Sequence, residues 1–423
     1  MKKTFTFSLL AMLTLAATLN RVEAKEEKTA SSNGKLKVFI LAGQSNMEGK
    51  AAITTLDAVI NDPKTRDQFK HLKPDGKWLV RDDVWVTFLD RKDKGRIVPI
   101  HGPLTVGFGT PKLARDKNFK KVPVKTIGPE LGIGDVLGDH YDQPVLLIKA
   151  AWGGKSVKHN FLPPSAMPSE DEIKAKYAGI QAAYKEKIKS TKEFNAKSSK
   201  RKKKAPGPPP SYEDYKSSIG LFYRKLLEEC QKVLGDIKKY VPDYDAKQGY
   251  EIAGLIWFQG WNDACGVGNP EYVEQMTHFI RDIRKDLKAP NLPFVIGELG
   301  TDGKGAEGWV AEFRKQQVAI AALPEFKDNV RLARTAQCWH KGPYDMQDKW
   351  DAFRKAGQVN AAKPADDPTR LDPGKFFQKN WVQKYAKELA YTSDKRYHYN
   401  GSGRSYYEMG QSMGKSMLEM INK

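Results

Sequence analysis

Four short polar segments carry the residues whose types and order could perform acyl transfer. Gly43-Gln44-Ser45-Asn46-Met47 follows an apolar run directly, and Trp152-Gly153-Gly154-Lys155-Ser156 follows a second. Gln259-Gly260-Trp261-Asn262-Asp263 follows a third, and Asp394-Lys395-Arg396-Tyr397-His398 precedes the last amphipathic stretch. A serine nucleophile needs a base to take its proton. The oxyanion that develops needs donors already in place. Ser45 is the candidate nucleophile and His398 the candidate base. The N–H groups of Ser45 and of Gly153 or Gly154, with the Asn262 side-chain amide, are the candidate oxyanion donors. Gln44, Asn46, Gln259 and Trp152 stand beside them as candidates for substrate contact. Each residue alone has a plainer reading, because a strand-end asparagine is usually a cap or a turn residue.

The segments require elements that bring them to one place. Short β-branched and aromatic runs at 36–42, 84–89, 145–149, 252–258, 293–297 and 330–336 read as strands, the first of them covered on both faces. Helical apolar spacing falls at 129–137, 223–240, 270–287 and 405–421, with Pro129 suited to a first helical turn. In the last of these, Tyr406, Met409, Met413, Met417, Met420 and Ile421 form one stripe, which reads as core packing. Alternating strands and helices specify an α/β fold, a three-layer sandwich with a mostly parallel central sheet. Its strand ends face one way, and open α/β sheets place their chemistry there. Gly43 permits the tight turn that presents Ser45.

The serine turn, the Gly-Gly loop, the Gly-x-Asn-Asp segment and the late histidine together resemble the SGNH (GDSL-type) hydrolases. Within them the chain looks most like the sialate O-acetylesterase and acetylxylan-esterase-like branch. The resemblance runs from residue 37 to residue 422 and is most specific at 43–47. It implies a flavodoxin-like fold, Ser45 as nucleophile, His398 as base, and a carboxylic ester hydrolase acting on O-acetylated carbohydrate. In that branch the third block reads like Gln-Gly-Glu-Ser-Asp. Here Trp261 and Asn262 intervene, so Gln259 is the alternative oxyanion donor. The family's acid stands three residues before the histidine, where this chain has Lys395. Asp394, four residues before His398, is therefore the candidate acid, and a serine–histidine dyad is the alternative.

Residues 1–24 have the layout of a secretory signal, with Lys2 and Lys3 before an uncharged apolar run and Val22-Glu23-Ala24 at its end. The run is short of the roughly 20 residues that span a bilayer. A secreted or periplasmic protein without stable membrane insertion is expected, its hydrolase domain covering 25–423. The net charge of +20 falls to about +18 once the signal's three cations and one acid are removed. Ten Lys or Arg lie between Lys185 and Lys204 against only Glu186 and Glu193. This run belongs to a charged insertion at 160–216, whose basic, Pro-rich part at 191–211 reads as a flexible solvated tether. An exported protein argues against nucleic acid as its partner, and an acidic polysaccharide fits better.

Cys230, Cys265 and Cys338 are too few for a disulfide framework, although one pair could form. No spacing of His, Cys and carboxylates matches a metal site, so neither metal nor cofactor is expected. His159 and His340 lie near strand-end loops, and Trp152, Trp257 and Trp261 beside the motifs could stack on sugar faces. Two other readings use the same residues. One is a glycan-binding module that has kept the fold and lost the chemistry. The other is an esterase for short acyl esters in general.

Overall fold

The computed structural model describes residues 34–115, 121–198, 202–266, 268–340 and 346–422. The signal-like segment at 1–24 lies outside them. Seven strands form the main sheet: β1 (Leu36–Gly43), β2 (Arg81–Phe88), β3 (Ile100–Leu104), β4 (Val145–Ala151), β5 (Tyr250–Phe258), β6 (Phe294–Gly297) and β7 (Val330–Ala333). Their spatial order is β7-β6-β5-β1-β4-β2-β3. Every pair is parallel except β2 with β3. The six expected strands are all present, with ends shifted by a few residues. The antiparallel edge strand β3 was not expected.

Alternate residues of the central strands enter two separate cores, as a strand's period of two requires. Val38, Ile40 and Ala42 pack on one face with Leu226, Cys230, Val233, Met276 and Phe279. These belong to helices α3 (Leu221–Leu234) and α4 (Tyr272–Asp286), with α5 (Gly308–Ala321) beside them. Phe39 and Leu41 pack on the other face with Ile133, Leu137, Met409, Met413 and Met417, from α1 (Glu130–His140) and α6 (Gly403–Ile421). The methionine stripe is therefore core. Gly132 and Gly410 let α1 and α6 touch: a Cβ on Gly132 would lie 2.1 Å from the Tyr407 carbonyl oxygen.

The chain leaves β1 toward β2, returns to place β4 beside it, and then builds β5, β6 and β7 on the opposite side. Strand order thus reverses at β1. The crevice outside its carboxyl end is the position where such sheets bind ligands.

The 160–216 insertion is more ordered than its composition implies. Helix α2 spans Glu170–Lys197 and opens with a capping box between Ser169 and Glu172, so the start of the presumed tether is helical. The segment from Lys202 onward folds back on that helix. The Asn195 amide exchanges two hydrogen bonds with the Lys203 backbone, at 2.6 and 2.8 Å, and the Tyr177 hydroxyl donates to Pro210 O at 2.9 Å. A side-chain amide that mimics a backbone pair holds a segment which hydrophobic burial does not.

A charged pair lies inside the sheet. Lys149 on β4 and Glu130 on α1 are both fully buried and meet at 2.7 Å. Burial pushes the Lys149 ammonium down, and the charge of Glu130 opposes this. Removing one partner leaves an uncompensated buried charge. Glu130→Ala is expected to lower unfolding free energy by about 3–5 kcal/mol, read from urea unfolding curves. The double substitution Glu130→Leu/Lys149→Met should recover most of that loss.

Candidate active site

β1 delivers Ser45 through a turn that requires glycine. Gly43 has φ +148°, and a Cβ there would lie 2.2 Å from the Phe258 carbonyl oxygen. Residues Ser45–Glu48 then form one helical turn. The Met47 and Glu48 N–H groups bond to Gln44 O at 2.7 and 2.9 Å, leaving the Ser45 and Asn46 N–H groups without an intrahelical acceptor. The turn is held from both sides. Gln44 Oε1 accepts from the backbone N–H groups of Gly260 and Asn262, at 3.4 and 3.5 Å. Lys149 Nζ donates to the Glu48 carbonyl at 2.9 Å. The buried ion pair thereby supports the Ser45 turn from below.

The histidine arrives on a strained loop. Tyr399, Asn400 and Gly401 have φ values of 50°, 51° and 61° in succession. A non-glycine residue held there costs on the order of 1–3 kcal/mol. Tyr399 is fully buried, and its hydroxyl accepts from Gly300 N–H at 2.8 Å. The Asn400 carbonyl accepts from both Ser393 and Asp394 N–H, at 2.7 and 2.9 Å. This closes the loop and sets Asp394 Oδ1 3.2 Å from His398 Nδ1. The left-handed residues after His398 turn the chain back onto Ser393 and Asp394, which sets the spacing of four.

Asp394 has a second partner that was not expected. Lys112 Nζ lies 3.3 Å from its Oδ2 and also donates to Lys50 O and Ser393 O, at 2.6 and 2.7 Å. Burial pushes the Asp394 carboxyl up, but the hydrogen bond to His398 and the charge of Lys112 outweigh it. The net result is a fall to about 2. Asn46 joins the two halves of the site. Its Nδ2 donates to Tyr397 O at 3.1 Å, and its Oδ1 accepts from the Tyr406 hydroxyl at 2.9 Å. Asn46 is buried with its amide engaged at both ends, the position of a residue that orients the site.

The remaining expected residues divide. Gly153 lies against Ser45, since a Cβ on it would stand 3.4 Å from Ser45 Cβ. Its N–H, however, donates to Glu48 Oε1 at 2.9 Å, while Lys50 Nζ neutralises the other oxygen at 2.6 Å. Gly154, at φ +74°, has open space around it. The Gln259 amide donates to Lys155 O at 3.0 Å and to Asp263 Oδ2 at 2.6 Å, so both its protons are engaged. Asn262 follows in the same loop, half-buried, with its backbone N–H on Gln44 Oε1. Asp263 is fully buried and also accepts from Val157, Lys158 and Asn269, which ties the β4 and β5 loops together. Burial raises its carboxyl above the usual range despite those donors.

Trp152 and Trp257 are buried, and Trp152 donates to Asp90 Oδ2 at 2.6 Å. They are core residues, as bulky aromatics at strand ends commonly are, and no sugar face can reach them. His159 bonds Ser218 Oγ at 2.8 Å within the insertion, and His340 bonds Glu408 on α6. All three cysteines are free thiols. Lys112, Glu48 and Lys149 escaped the sequence reading, because their roles arise only from contacts distant in the chain or from an unremarkable helical turn.

The doubly wound sheet thus carries the Ser45 turn at its switch point, with a histidine–carboxylate pair on a loop pinned to that turn. Residues 35–202 and 220–361 match the family of carbohydrate esterases described as sialic acid-specific acetylesterase, and the chain belongs to that family. The match contains Ser45, Gly153 and Asn262 and ends before Asp394 and His398. Its gap falls in the segment that folds back on α2. A probable carbohydrate esterase of Arabidopsis thaliana is 28% identical over 102 residues, which are 22% of this chain and 38% of that protein. The chain thus matches well under half the length of that curated relative. Among solved structures, a carbohydrate acetylesterase from Xanthomonas citri has 14% identity and a TM-score of 0.36, over 70% of this chain and 49% of that one. NanS has 15% identity and a TM-score of 0.36, over 71% and 78%. No helix among the described residues is long and apolar enough to cross a membrane.

Proposed function

We propose that the protein is an exported serine esterase that removes O-acetyl groups from carbohydrate through an acyl-Ser45 intermediate. The observation that carries this reading is the His398–Asp394 contact on a loop pinned to the serine turn by Asn46. With Nδ1 facing Asp394, Nε2 is left for the serine proton. His398 takes that proton as Ser45 Oγ attacks the ester carbonyl. The oxyanion is met by the Ser45 N–H and the Asn262 amide, with Gly154 N–H as the further backbone donor. Gly153 can join only by releasing Glu48. The bond between the acyl carbon and the sugar oxygen breaks, and His398 gives its proton to that departing oxygen, which leaves as the sugar hydroxyl. Water, deprotonated by His398, then attacks the acyl-serine, and acetate leaves as the proton returns to Ser45. Family membership supports the acetyl group and the sugar. The basic surplus favours an acidic one, in the direction of sialic acid.

The test compares hydrolysis of an activated acetate ester, its butyrate analogue and an O-acetylated sialic acid by the chain from residue 25 onward. The expected result is acetate release from the sugar and a strong preference for acetyl over butyryl. Equal rates on acetyl and butyryl esters with none on the sugar would favour a general short-chain esterase. Binding of the sugar without turnover would favour a glycan-binding module. Amino-terminal sequencing of protein recovered outside the producing cell checks export, with Lys25 expected first.

A further inference from the structure

Three aromatic side chains from three separate segments form a continuous patch that starts at His398. Tyr397 and His398 rings lie 4.4 Å apart, Tyr397 and Trp261 5.4 Å, and Trp261 and Trp309 5.1 Å. Trp309 is 44% exposed and Tyr397 38%. Trp309 is the one tryptophan of the chain that is openly exposed. Trp261 is half-buried, with its inner side on the core that holds Val310 and Phe313. Scattered exposed apolar residues need no explanation, but a contiguous aromatic patch beside a polar site does.

The placement gives the patch its register. Trp261 immediately precedes Asn262, and Tyr397 immediately precedes His398. Trp309 sits in the first turn of α5, which packs behind them. Whatever rests on these rings is therefore held at a fixed offset from Ser45 and its oxyanion donors. The rings carry no charge and are inclined to one another, Trp261 at 83° to Trp309 and at 40° to Tyr397, so each offers its own apolar face to one side of a ligand. A pyranose matches them, with a face of C–H groups and a rim of hydroxyls that stay in water.

We infer that Trp261, Trp309 and Tyr397 form a sugar-binding platform that seats a pyranose ring of the substrate chain. This rests on the carbohydrate reading of the site and extends it to specificity. The platform favours esters whose alcohol is a sugar and gives nothing to a small activated ester. It lies on the histidine side of the crevice, so substrate is oriented by the same loop that supplies the base.

Binding by a Ser45→Ala background, which cannot turn substrate over, tests the platform apart from the chemistry. The probes are an O-acetylated sialyl oligosaccharide and an acetylated xylo-oligosaccharide, titrated calorimetrically. At least one should bind, and adding Trp309→Ala should weaken it by about three- to tenfold. Trp309→Phe should retain most of the affinity. Val318→Ala, an exposed apolar position on the same helix, should leave it unchanged. Unchanged affinity in Trp309→Ala, or no binding of either probe, overturns the platform. Loss of binding in Trp309→Ala together with no ester turnover by the unsubstituted protein would keep the platform and remove the esterase.

Discussion

Ser45→Ala will reduce turnover of an acetate ester by about 10^4-fold or more. The loss will fall on kcat, because the missing oxygen forms the bond that breaks the ester. His398→Ala should cost a similar amount, and the double variant little more, since nucleophile and base act as a unit. Quenched-flow mass spectrometry on the unsubstituted protein should find a single acetyl group, located on the peptide that contains Ser45. A Ser45→Ala protein that turns over at the original rate would place the nucleophile elsewhere. Asn46 and Gln44, not Ser45, hold the turn to the rest of the site.

Asp394→Asn will lower kcat on the order of 10^4-fold, through loss of the charge that orients His398 and stabilises its protonated form. The same substitution has a stability signature with a defined sign. The folded-state pKa of Asp394 is lowered, to about 2. Its contribution is therefore complete above the unfolded value of about 3.9 and is lost as pH falls toward 2. The contribution amounts to about 2 kcal/mol at neutral pH. Urea unfolding at pH 7 should show that deficit in Asp394→Asn, and the two proteins should converge between pH 4 and pH 2. A deficit that persists at pH 2 would mean that Asp394 acts through packing and not through its charge. Because Asp394 stays ionised through mild acid, any fall in rate above pH 4 must be assigned to another group. Lys112 contributes to this behaviour, so Lys112→Met should move the convergence upward in pH.

The parts of the fold legible in the sequence are those whose physics is local. β1, β4 and β5 are short, continuous apolar runs because both faces are covered, and the methionines of α6 repeat at helical spacing because one face is. β3 escaped because Gly102 and Pro103 interrupt it and its pairing is antiparallel at the sheet edge, where proline is tolerated. The contact of His398 with Asp394 was legible, since both lie on one loop before the last helix, and so was the place of Ser45 on a strand-end turn. What each neighbour does was not. Asn46 looks like a substrate contact until Tyr397 and Tyr406 are seen to occupy its amide. Gln259 and Asn262 are equivalent as text, and the engagement of the Gln259 amide with Lys155 and Asp263 is visible only in the structure. Trp309 has no motif around it and becomes meaningful through Trp261. The aromatic cluster of Trp350, Phe353, Phe376 and Trp381, in the helices between β7 and the histidine loop, was likewise invisible. Only Trp350 and Phe353 pair at helical spacing; the other contacts join separate helices.

The hydrogen bond from Asn46 to Tyr397 joins positions 351 residues apart, and this sets a timetable for the protein during its own synthesis. At translation rates of about 5–20 residues per second, the serine turn waits roughly 20–70 seconds for the histidine loop to be made. β1, β4 and β5 can already pair in that interval, but the nucleophile has no base. On the proposed reading, an ester met by the unfinished chain is safe from it. Because the closing contact spans so much chain, its loop entropy falls late in folding. Catalytic competence is thus a report that folding has finished, and recovery of turnover after dilution from urea should lag behind recovery of helical circular dichroism.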